Sequence, residues 1–324
     1  MNNKVRVLFM GTPRCAVPIL TMLGENQKVN LLGVVSQPDK PKGRKGVLSP
    51  SPVKEYALAQ NFLVMTPQNI RKDVDFIEFI RNELKPDIVV VVAFGQILPQ
   101  SFLDIPQYGC INLHFSLLPK YRGAAPVSWS IINGESLTGV TLMAMNNKMD
   151  EGDILAQIEC PIDVTDTRET LETKLAFHAT NLLENNLGNI LNKTITPKTQ
   201  DAAEATYAPR LSTSLGHLQW IDPADKLARL IRALNPDPMS YSHINNLRVR
   251  ILEARIGSSE NRHQSDTCGM IKSIIKGDSG GIEVITGRGT LVLQTLQPDG
   301  KKSMRAVDFA NGQRLKAGDF FQTI

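Results

Sequence analysis

An amide, an imidazole and a carboxylate occur at a spacing that could support acyl transfer to an amine. Asn112 and His114 stand two residues apart in GCINLHFSLLPKYRGAAP, and Asp150 follows in TGVTLMAMNNKMDEGD. The amide can polarise a carbonyl, the imidazole can accept a proton, and the carboxylate can fix the imidazole tautomer and favour its charged form. The chain has no GxSxG elbow, and no Cys adjoins the His. Direct attack by a substrate amine is therefore favoured over a covalent enzyme intermediate.

The element that must position the first two groups is the apolar run that leads into Cys110 and Ile111, which is typical of a β-strand. Side chains alternate along a strand, so we expect Asn112 and His114 to point to the same side. The same residues also fit a packed core histidine, a turn-forming Asn and an Asp in a turn of its own. On spacing alone the two interpretations are close to even, and the rest of the chain must decide between them.

Apolar strand-like runs alternate with helix-like stretches over residues 1–191. We predict strands at residues 5–10, 29–35, 88–94, 111–115 and 139–145, and helices at residues 16–23, 53–59, 74–84 and 168–191. This alternation predicts the α/β class, with a parallel, doubly wound sheet. The first turn, Gly11-Thr12-Pro13, lacks the GxGxxG pattern. A nicotinamide cofactor, and with it a nucleotide-binding oxidoreductase, is disfavoured.

The C-terminal third has a different character. Residues 192–209 are polar and predict a linker between domains 1–191 and 210–324. A helix is predicted at residues 223–234, followed by β-like runs at 247–253, 270–275, 281–286 and 290–293 with glycines between them. Several short strands with glycine turns predict a small barrel.

Length and composition set the class. A chain of 324 residues exceeds what one hydrophobic core usually serves, so two domains are expected. With 42% hydrophobic and 21% charged residues, the composition is that of an ordinary globular protein. We find neither a secretory leader nor an apolar run long enough for a membrane span, so we expect a cytoplasmic protein. Four widely spaced cysteines without a CxxC pair favour neither structural zinc nor a disulfide framework.

Positive charge is concentrated in two places. Residues 1–206 hold 20 Lys and Arg against 21 Asp and Glu, a net −1, whereas residues 207–324 hold 16 against 11, a net +5, which together give the overall +4. A separate basic cluster, Lys40, Lys42, Arg44 and Lys45, lies in a loop predicted at residues 37–49. Both would suit a polyanion, although solvated lysines without a partner are the alternative.

Several longer motifs resemble those of one enzyme family. The segments NLHFSLLPKYRGAAP, MDEGDIL, VVVVAFGQILP and the N-terminal MGTP resemble those of the 10-formyltetrahydrofolate-dependent formyltransferases. Three further segments, SQPDKPKGRKGVLSPSPVK, RALNPDPMSY and LQPDGKKSM, resemble the branch of that family that acts on initiator tRNA. The motifs span nearly all of the chain in the expected order. They therefore favour the catalytic interpretation of the three polar residues.

The resemblance implies transfer of a formyl group from 10-formyltetrahydrofolate, without a metal, to the α-amino group of methionine on initiator tRNA during initiation of translation. It implies a Rossmann-like catalytic domain followed by an OB-like barrel that binds tRNA. We expect a cytoplasmic monomer whose partner is the aminoacylated tRNA. The departures from the family pattern are Phe94, where Tyr is common, Phe115, where a small residue is usual, Lys148-Met149, where Gly-Leu is common, and the segment Val127-Ser128-Trp129.

The resemblance also assigns roles residue by residue. Asn112, His114 and Asp150 match the catalytic trio. The remaining matches are residues near the bound folate, Ser116, Leu117, Leu118, Pro119, Phe94, Gly95, Ile97 and Leu98, and a basic loop expected to contact tRNA, Lys40, Lys42, Arg44 and Lys45.

Two alternatives stay open. One is another folate-dependent formyltransferase or hydrolase, with a purine precursor or an amino sugar as the substrate. The other is a tRNA-binding protein without catalytic activity, which an intact trio disfavours.

Overall fold

The computed structural model describes residues 4–42, 46–258 and 267–322. Arg44 and Lys45 lie outside the described residues, and so does the side chain of Lys42. By its contacts the chain divides into two compact units. Unit 1 comprises Met1–Pro126, Leu137–Pro161 and Glu172–Pro209, and unit 2 comprises Val127–Ser136, Ile162–Leu171 and Arg210–Ile324.

Unit 1 is built on a seven-stranded sheet with the order β5-β2-β1-β6-β7-β8-β9. Its strands are β1 (Val5–Gly11), β2 (Val29–Val35), β5 (Val64–Met65), β6 (Ile88–Val92), β7 (Cys110–His114), β8 (Leu137–Ala144) and β9 (Ile154–Pro161). The short strands β3 (Lys40–Lys42) and β4 (Val47–Ser49) form a separate antiparallel pair. The α/β prediction is confirmed.

The direction of β8 departs from the predicted parallel sheet. Strands β5, β2, β1, β6 and β7 are parallel, but β8 runs antiparallel to β7, and β9 runs antiparallel to β8. The register pairs His114, the last residue of β7, with Thr141 in the middle of β8. Because the connection between these strands begins and ends at the same edge of the sheet, β8 must run back along β7.

The helices of the N-terminal part complete the alternation. They are α1 (Val17–Glu25), α2 (Pro52–Ala59), α3 (Val74–Phe79), which a π-helical turn (Ile80–Leu84) continues, α4 (Gln100–Leu103), α5 (Pro126–Asn133) and α6 (Arg168–Leu191). Strand β6 is apolar throughout because it pairs with β1 and β7 and all five of its residues are buried. Its Val89 and Val91 pack in a core cluster with Phe102. The buried centre of the sheet thus lies next to β7, which carries Asn112 and His114.

Unit 2 is built on an antiparallel sheet with the order β10-β11-β14-β13-β12, and β15 pairs with β14. Its elements are α7 (Ala224–Leu234), β10 (Ser240–Ile244), β11 (Leu247–Ile256), β12 (Ile271–Ile275), β13 (Gly281–Ile285), β14 (Thr290–Pro298), β15 (Met304–Arg305) and α8 (Ala306–Gln313). Leu227, Leu230, Ile231 and Leu234 of α7 recur at helical spacing and are buried in the core of the sheet. Closure of this sheet into a barrel stays a prediction.

Two short segments of the N-terminal part belong to unit 2. In one of them, the Ser128 hydroxyl donates to the carbonyl of Ala233 at 2.9 Å. In the other, the Arg232 guanidinium donates to the carbonyl of Asp166 at 2.5 Å. Residues 192–209, by contrast, lie within unit 1, where an isolated β-bridge joins Lys198 to Ile154. Tertiary contacts of this kind carry no periodic signal in the sequence.

Candidate active site

The residues predicted to bind folate lie in loops that come directly after two strands of unit 1. The loops after β6 and β7 begin at the carboxyl ends of neighbouring parallel strands. Ligands of open α/β sheets usually bind outside these ends. The sheet therefore places residues 93–98 and 115–119 on the same edge.

Asn112 and His114 occupy alternate positions on β7 and so face the same side, as the spacing predicts. Their exposed fractions are 9% and 6%. The Asn112 amide makes no hydrogen bond within the described ranges, although it is almost fully buried. A buried side-chain amide usually has partners, so Asn112 is well placed to donate to a carbonyl oxygen of a substrate.

The two imidazole nitrogens of His114 have different neighbours. Nε2 lies 2.9 Å from the carbonyl oxygen of Tyr121, and Nδ1 lies 3.8 Å from Oδ2 of Asp150. A carbonyl can only accept, so in the neutral ring the proton resides on Nε2 and the lone pair on Nδ1. A distance of 3.8 Å is too long for a hydrogen bond. The expectation that Asp150 fixes the tautomer is therefore corrected: the Tyr121 carbonyl does so, and Asp150 faces the basic nitrogen.

Asp150 reaches His114 from the connection between β8 and β9. Its Oδ2 accepts a hydrogen bond of 2.8 Å from the backbone N–H of Gly123. Gly152 allows the connection to double back, because a Cβ at that position would collide with the Ala144 carbonyl oxygen. Gly123 has a φ of +121°, and a Cβ there would lie 2.7 Å from the Ala208 carbonyl oxygen. Two glycines thus make the carboxylate's position sterically possible.

The segment predicted to contact folate, Ser116 to Pro119, is held by polar side chains of two strands. The Thr141 hydroxyl donates to the Ser116 carbonyl at 2.7 Å and accepts from the backbone N–H of Leu118 at 3.0 Å. Gln157 donates to the Leu118 carbonyl at 2.9 Å and to the Thr141 hydroxyl at 2.9 Å. Leu118 is buried among other apolar side chains, whereas Leu117 and Pro119 are partly exposed. The backbone of this segment is therefore fixed before any ligand binds.

The segment predicted to lie near the pterin, residues 94–98, contains both buried and exposed apolar side chains. The side chains of Phe94 and Leu98 are 2% and 4% exposed and pack in the core of unit 1. The Phe94 carbonyl accepts from the Thr12 hydroxyl at 2.9 Å and from the Gln37 amide at 3.1 Å. Ile97 is 55% exposed. Of the predicted apolar side chains here, Ile97 is the one that faces outward.

The predicted basic loop is described only in part. Lys40 is exposed on β3, and its ammonium donates to the Gln37 side chain at 2.5 Å. Gln37 in turn donates to the Phe94 carbonyl, so the base of the loop is tied to the segment after β6. The side chains of Lys42, Arg44 and Lys45 lie outside the described residues.

Sequence reasoning missed the residues that hold the trio and the segment 116–119 in place. They are Tyr121, Arg122, Thr141, Gln157 and Gln200. Tyr121 acts through a backbone carbonyl, which every residue has. Gln200 lies in a polar stretch with the composition of a linker. Arg122, in RGAAP, was quoted in a motif but received no role.

Two further properties bear on the class of protein. In the described part of the chain, no group of three or more His, Cys, Asp or Glu side chains could hold a metal ion. Among the described helices, none combines the length and the apolar character needed to cross a membrane.

A mostly parallel sheet carries an amide, a histidine and a carboxylate beside one of its strands, an arrangement that fits an acyl-transfer enzyme. The family profile "Formyl transferase" matches residues 3–187, and the profile "Formyl transferase, C-terminal domain" matches residues 210–314. The chain belongs to the formyl transferase family.

Relatives that match over nearly the full length carry a more particular name. Methionyl-tRNA formyltransferase of Bacillus subtilis is 41% identical over 315 residues, which cover 97% of this chain and 96% of the relative. Methionyl-tRNA formyltransferase of Clostridium novyi is 39% identical over 312 residues, which cover 96% of this chain and 98% of the relative.

Solved structures share the fold at lower identity. HypX from Aquifex aeolicus in complex with tetrahydrofolic acid superposes with a TM-score of 0.62 at 15% identity, covering 98% of this chain and 51% of HypX. An N-formyltransferase from Helicobacter canadensis, in complex with folinic acid and dTDP-3-aminofucose, gives a TM-score of 0.64 at 20% identity. This match covers 90% of this chain and 99% of the other. At these identities the likeness shows the fold alone.

Proposed function

We propose that this protein transfers a formyl group from 10-formyltetrahydrofolate to the α-amino group of methionyl initiator tRNA. The observation that carries the proposal is the juxtaposition in unit 1 of a basic imidazole nitrogen, a carboxylate 3.8 Å from it and an amide without a partner in the described ranges. Full-length relatives named methionyl-tRNA formyltransferase favour this acceptor over a sugar or a purine precursor.

The residues present fit a folate formyl donor. Asn112 offers an amide that makes no hydrogen bond among the described residues, which is what a formyl oxygen requires. When bound, the donor supplies a formyl carbon whose bond to N10 breaks as the amine nitrogen forms a new bond to it. We assign the backbone of residues 116–119 and the segment 94–98 to donor binding. The HypX structure with tetrahydrofolic acid supports a folate ligand on this fold.

Three side chains divide the chemistry. Asn112 donates a hydrogen bond to the oxygen that becomes negative when the amine adds to the formyl carbon, an interaction worth about 3–4 kcal/mol in other acyl transfers. His114 accepts the proton of the attacking amine at Nδ1, because Nε2 is protonated and donates to Tyr121. Asp150 stabilises the resulting imidazolium by its charge. The same proton can then pass from Nδ1 to the departing nitrogen, which restores the neutral ring.

We further propose that residues 1–191 form the catalytic domain, residues 192–209 a connecting segment, and residues 210–324 a tRNA-binding domain. The positive charge of the C-terminal third and the basic loop 37–49 suit the phosphates of a tRNA. We expect the protein to act as a monomer in the cytoplasm.

The proposal is tested with labelled 10-formyltetrahydrofolate and three acceptors side by side: methionyl initiator tRNA, glycinamide ribonucleotide and a nucleotide-linked amino sugar. We expect label on the methionyl-tRNA, with kcat/KM at least about 100-fold above that of the other acceptors. Transfer to another acceptor alone would reassign the substrate. Release of formate without transfer would instead indicate a hydrolase.

A further inference from the structure

We propose that Gln200 is a positioning residue for formyl transfer, which ties the segment that carries Asp150 to the turn that binds His114. The inference rests on the proposed function, because it concerns the geometry of the same trio. Gln200 lies within the polar stretch that precedes the C-terminal third. It touches neither His114 nor the Asp150 carboxylate in any hydrogen bond that the structure describes, so it acts through other groups.

The Gln200 amide is fully engaged. Its Oε1 accepts two hydrogen bonds from the Arg122 guanidinium, at 3.1 Å from Nε and 2.9 Å from Nη2. Its Nε2 donates to the carbonyls of Asp150 at 2.9 Å and of Gly152 at 2.7 Å. Two donors and two acceptor positions exhaust the capacity of the group. Gln200 is 8% exposed and Arg122 is 3% exposed, so water competes little for these bonds.

The two segments that Gln200 joins set both contacts of the catalytic imidazole. Arg122 lies between Tyr121, whose carbonyl faces His114 Nε2, and Gly123, whose N–H binds the Asp150 carboxylate. Tyr121 and Asp150 have left-handed backbones, with φ of +61° and +54°. Non-glycine residues rarely adopt this conformation unless their surroundings hold them there. The Arg122–Gln200 pair supplies that support on both sides of His114.

Glutamine is the residue type that this position requires. A glutamate would still accept from Arg122, and as a carboxylate it would do so more strongly. It has no N–H, however, and would turn an oxygen toward the carbonyls of Asp150 and Gly152. Gln200→Glu therefore keeps the hydrogen bonds from Arg122 and loses those to the carbonyls of Asp150 and Gly152. The size of the side chain is conserved.

The test compares Gln200→Glu, Gln200→Ala and a matched control, Gln297→Glu, in single-turnover formyl transfer. Gln297 is a partly exposed glutamine of unit 2 whose amide donates to the Lys301 carbonyl. We expect Gln200→Glu to lower the single-turnover transfer rate about 10- to 100-fold, while the steady-state KM for either substrate changes less than about threefold. The control should match the wild type. An unchanged rate for Gln200→Glu would overturn the proposal.

A double-mutant cycle separates positioning from a general loss of structure. If Gln200 acts through Asp150, then Gln200→Glu should cost less than about threefold in a protein that already carries Asp150→Asn. Multiplicative losses from the two substitutions would contradict the proposal. Failure of the wild type to formylate methionyl-tRNA would count against the proposed function instead. The two failures are therefore distinguishable.

A second proposal rests on a separate feature of unit 2, in which two imidazoles and a guanidinium surround a tyrosine. We name His217, Tyr241, His243 and Arg248 the His–Arg cluster. The strand pairing sets His243 opposite Arg248. The Arg248 guanidinium lies 3.8 Å from the centre of the Tyr241 ring, and the His217 ring stacks with Tyr241 at 5.1 Å between centroids.

Among the described residues, the Arg248 guanidinium of the cluster has no carboxylate partner. Within the described ranges none of the cluster's side chains pairs with a carboxylate, whereas Arg250, on the same strand, lies 3.2 Å from Asp299. Buried nitrogens of the cluster also have no hydrogen-bond partner in the described part of the chain: His217 Nε2, His243 Nδ1 and Arg248 Nε. Burial, and then the neighbouring positive groups, lower the pKa of His217.

We infer that the His–Arg cluster binds a phosphate group of the RNA backbone. A phosphodiester supplies negative charge and acceptor oxygens, and both are what the cluster lacks. A contact of this kind positions an RNA without reading its bases. The inference rests on the proposed function only in that the RNA is taken to be the tRNA substrate.

The test measures binding of initiator tRNA across a salt series by Arg248→Gln, with Arg250→Gln as the matched control. We expect Arg248→Gln to weaken binding about 10-fold and to reduce the slope of log K against log salt by about one. The control should change binding by less than about threefold. Equal affinity and slope for Arg248→Gln and wild type would overturn the inference.

Inorganic phosphate tests the cluster apart from the proposed function. We expect phosphate to shift the imidazole NMR resonances of His217 and His243 in the wild type and to leave them in place in Arg248→Gln. Resonances that do not respond to phosphate in the wild type would refute an oxyanion site. Shifts in a protein that does not bind tRNA would overturn only the assignment to RNA.

Discussion

The Nε2 atom of His114 lies 2.9 Å from the carbonyl oxygen of Tyr121, and in the proposed mechanism this contact decides which imidazole nitrogen acts as the base. Because the carbonyl requires a donor, the lone pair of the neutral ring resides on Nδ1, the nitrogen that faces Asp150. In the proposed mechanism, the carboxylate therefore stabilises the charge at the nitrogen that receives the proton. This differs from a triad in which the carboxylate binds the opposite nitrogen of the ring.

Removal of the imidazole should abolish most of the activity. We expect His114→Ala to lower the rate of formyl transfer at least about 100-fold, since general base catalysis contributes about 10²- to 10⁴-fold. Single-turnover transfer from labelled donor to methionyl-tRNA measures this loss. Circular dichroism and the thermal transition serve as controls for folding. Near-normal transfer by a folded variant would refute the role of His114.

A substitution that removes the charge of Asp150 but keeps the shape of its side chain should separate the electrostatic role of the carboxylate from its structural role. In Asp150→Asn an amide oxygen can still accept from the N–H of Gly123 at the position where the carboxylate does so at 2.8 Å. The imidazolium, however, loses its counter-charge. We expect kcat to fall about 10- to 100-fold while KM for the donor changes less than about threefold. A rise in KM alone would show that Asp150 acts in binding.

The sequence predicts the strands and the trio because both leave local patterns. Alternation placed Asn112 and His114 on one face, and the structure agrees. The supports of the trio leave no such pattern. The carbonyl of Tyr121 is a backbone atom, Gln200 resembles any glutamine of a polar connection, and both act on residues distant in the chain. Likewise, strand β8 was predicted, but its antiparallel direction depends on where a long connection enters the sheet.

Loss of a single hydroxyl should test how the segment 116–119 is held. Thr141→Val keeps the size of the side chain but removes its bonds to the Ser116 carbonyl and the Leu118 N–H. Each bond contributes about 1 kcal/mol, and Leu118 would keep an unsatisfied N–H. We expect KM for 10-formyltetrahydrofolate to rise about 10-fold, with KM for methionyl-tRNA unchanged. Equal increases in both constants would contradict a specific role in donor binding.

An ion pair at the start of the sheet should make stability depend on acid. The Arg6 guanidinium and backbone N–H bind Asp87, and the side-chain hydrogen bond with Arg6 lowers the pKa of this carboxyl below its ordinary value. A carboxyl whose pKa is lower in the folded state stabilises the fold above its unfolded pKa of about 3.9, and this stability is lost as pH falls through the folded pKa. Asp87→Asn should therefore lower Tm at pH 7.

The difference in Tm between Asp87→Asn and wild type should shrink as the pH falls below about 4. Scanning calorimetry from pH 7 to pH 2.5 measures it. Asp308→Asn is the matched control, because its partner Arg305 and its own side chain are both more than half exposed, and such pairs contribute little. A difference in Tm that is constant with pH would contradict the assignment to the Arg6–Asp87 pair.

The basic loop yields a prediction that depends on the sequence alone, since Arg44 lies outside the described residues. If the loop 37–49 contacts the phosphates of the acceptor stem, Arg44→Ala should lower kcat/KM for methionyl-tRNA about 10-fold and leave KM for the donor unchanged. Because phosphate contacts release counterions, higher salt should weaken tRNA use by the wild type more steeply than by the variant. Lys301→Ala, an exposed lysine of unit 2, is the control for loss of one positive charge. An unchanged kcat/KM for tRNA in Arg44→Ala would contradict a contact between this loop and tRNA.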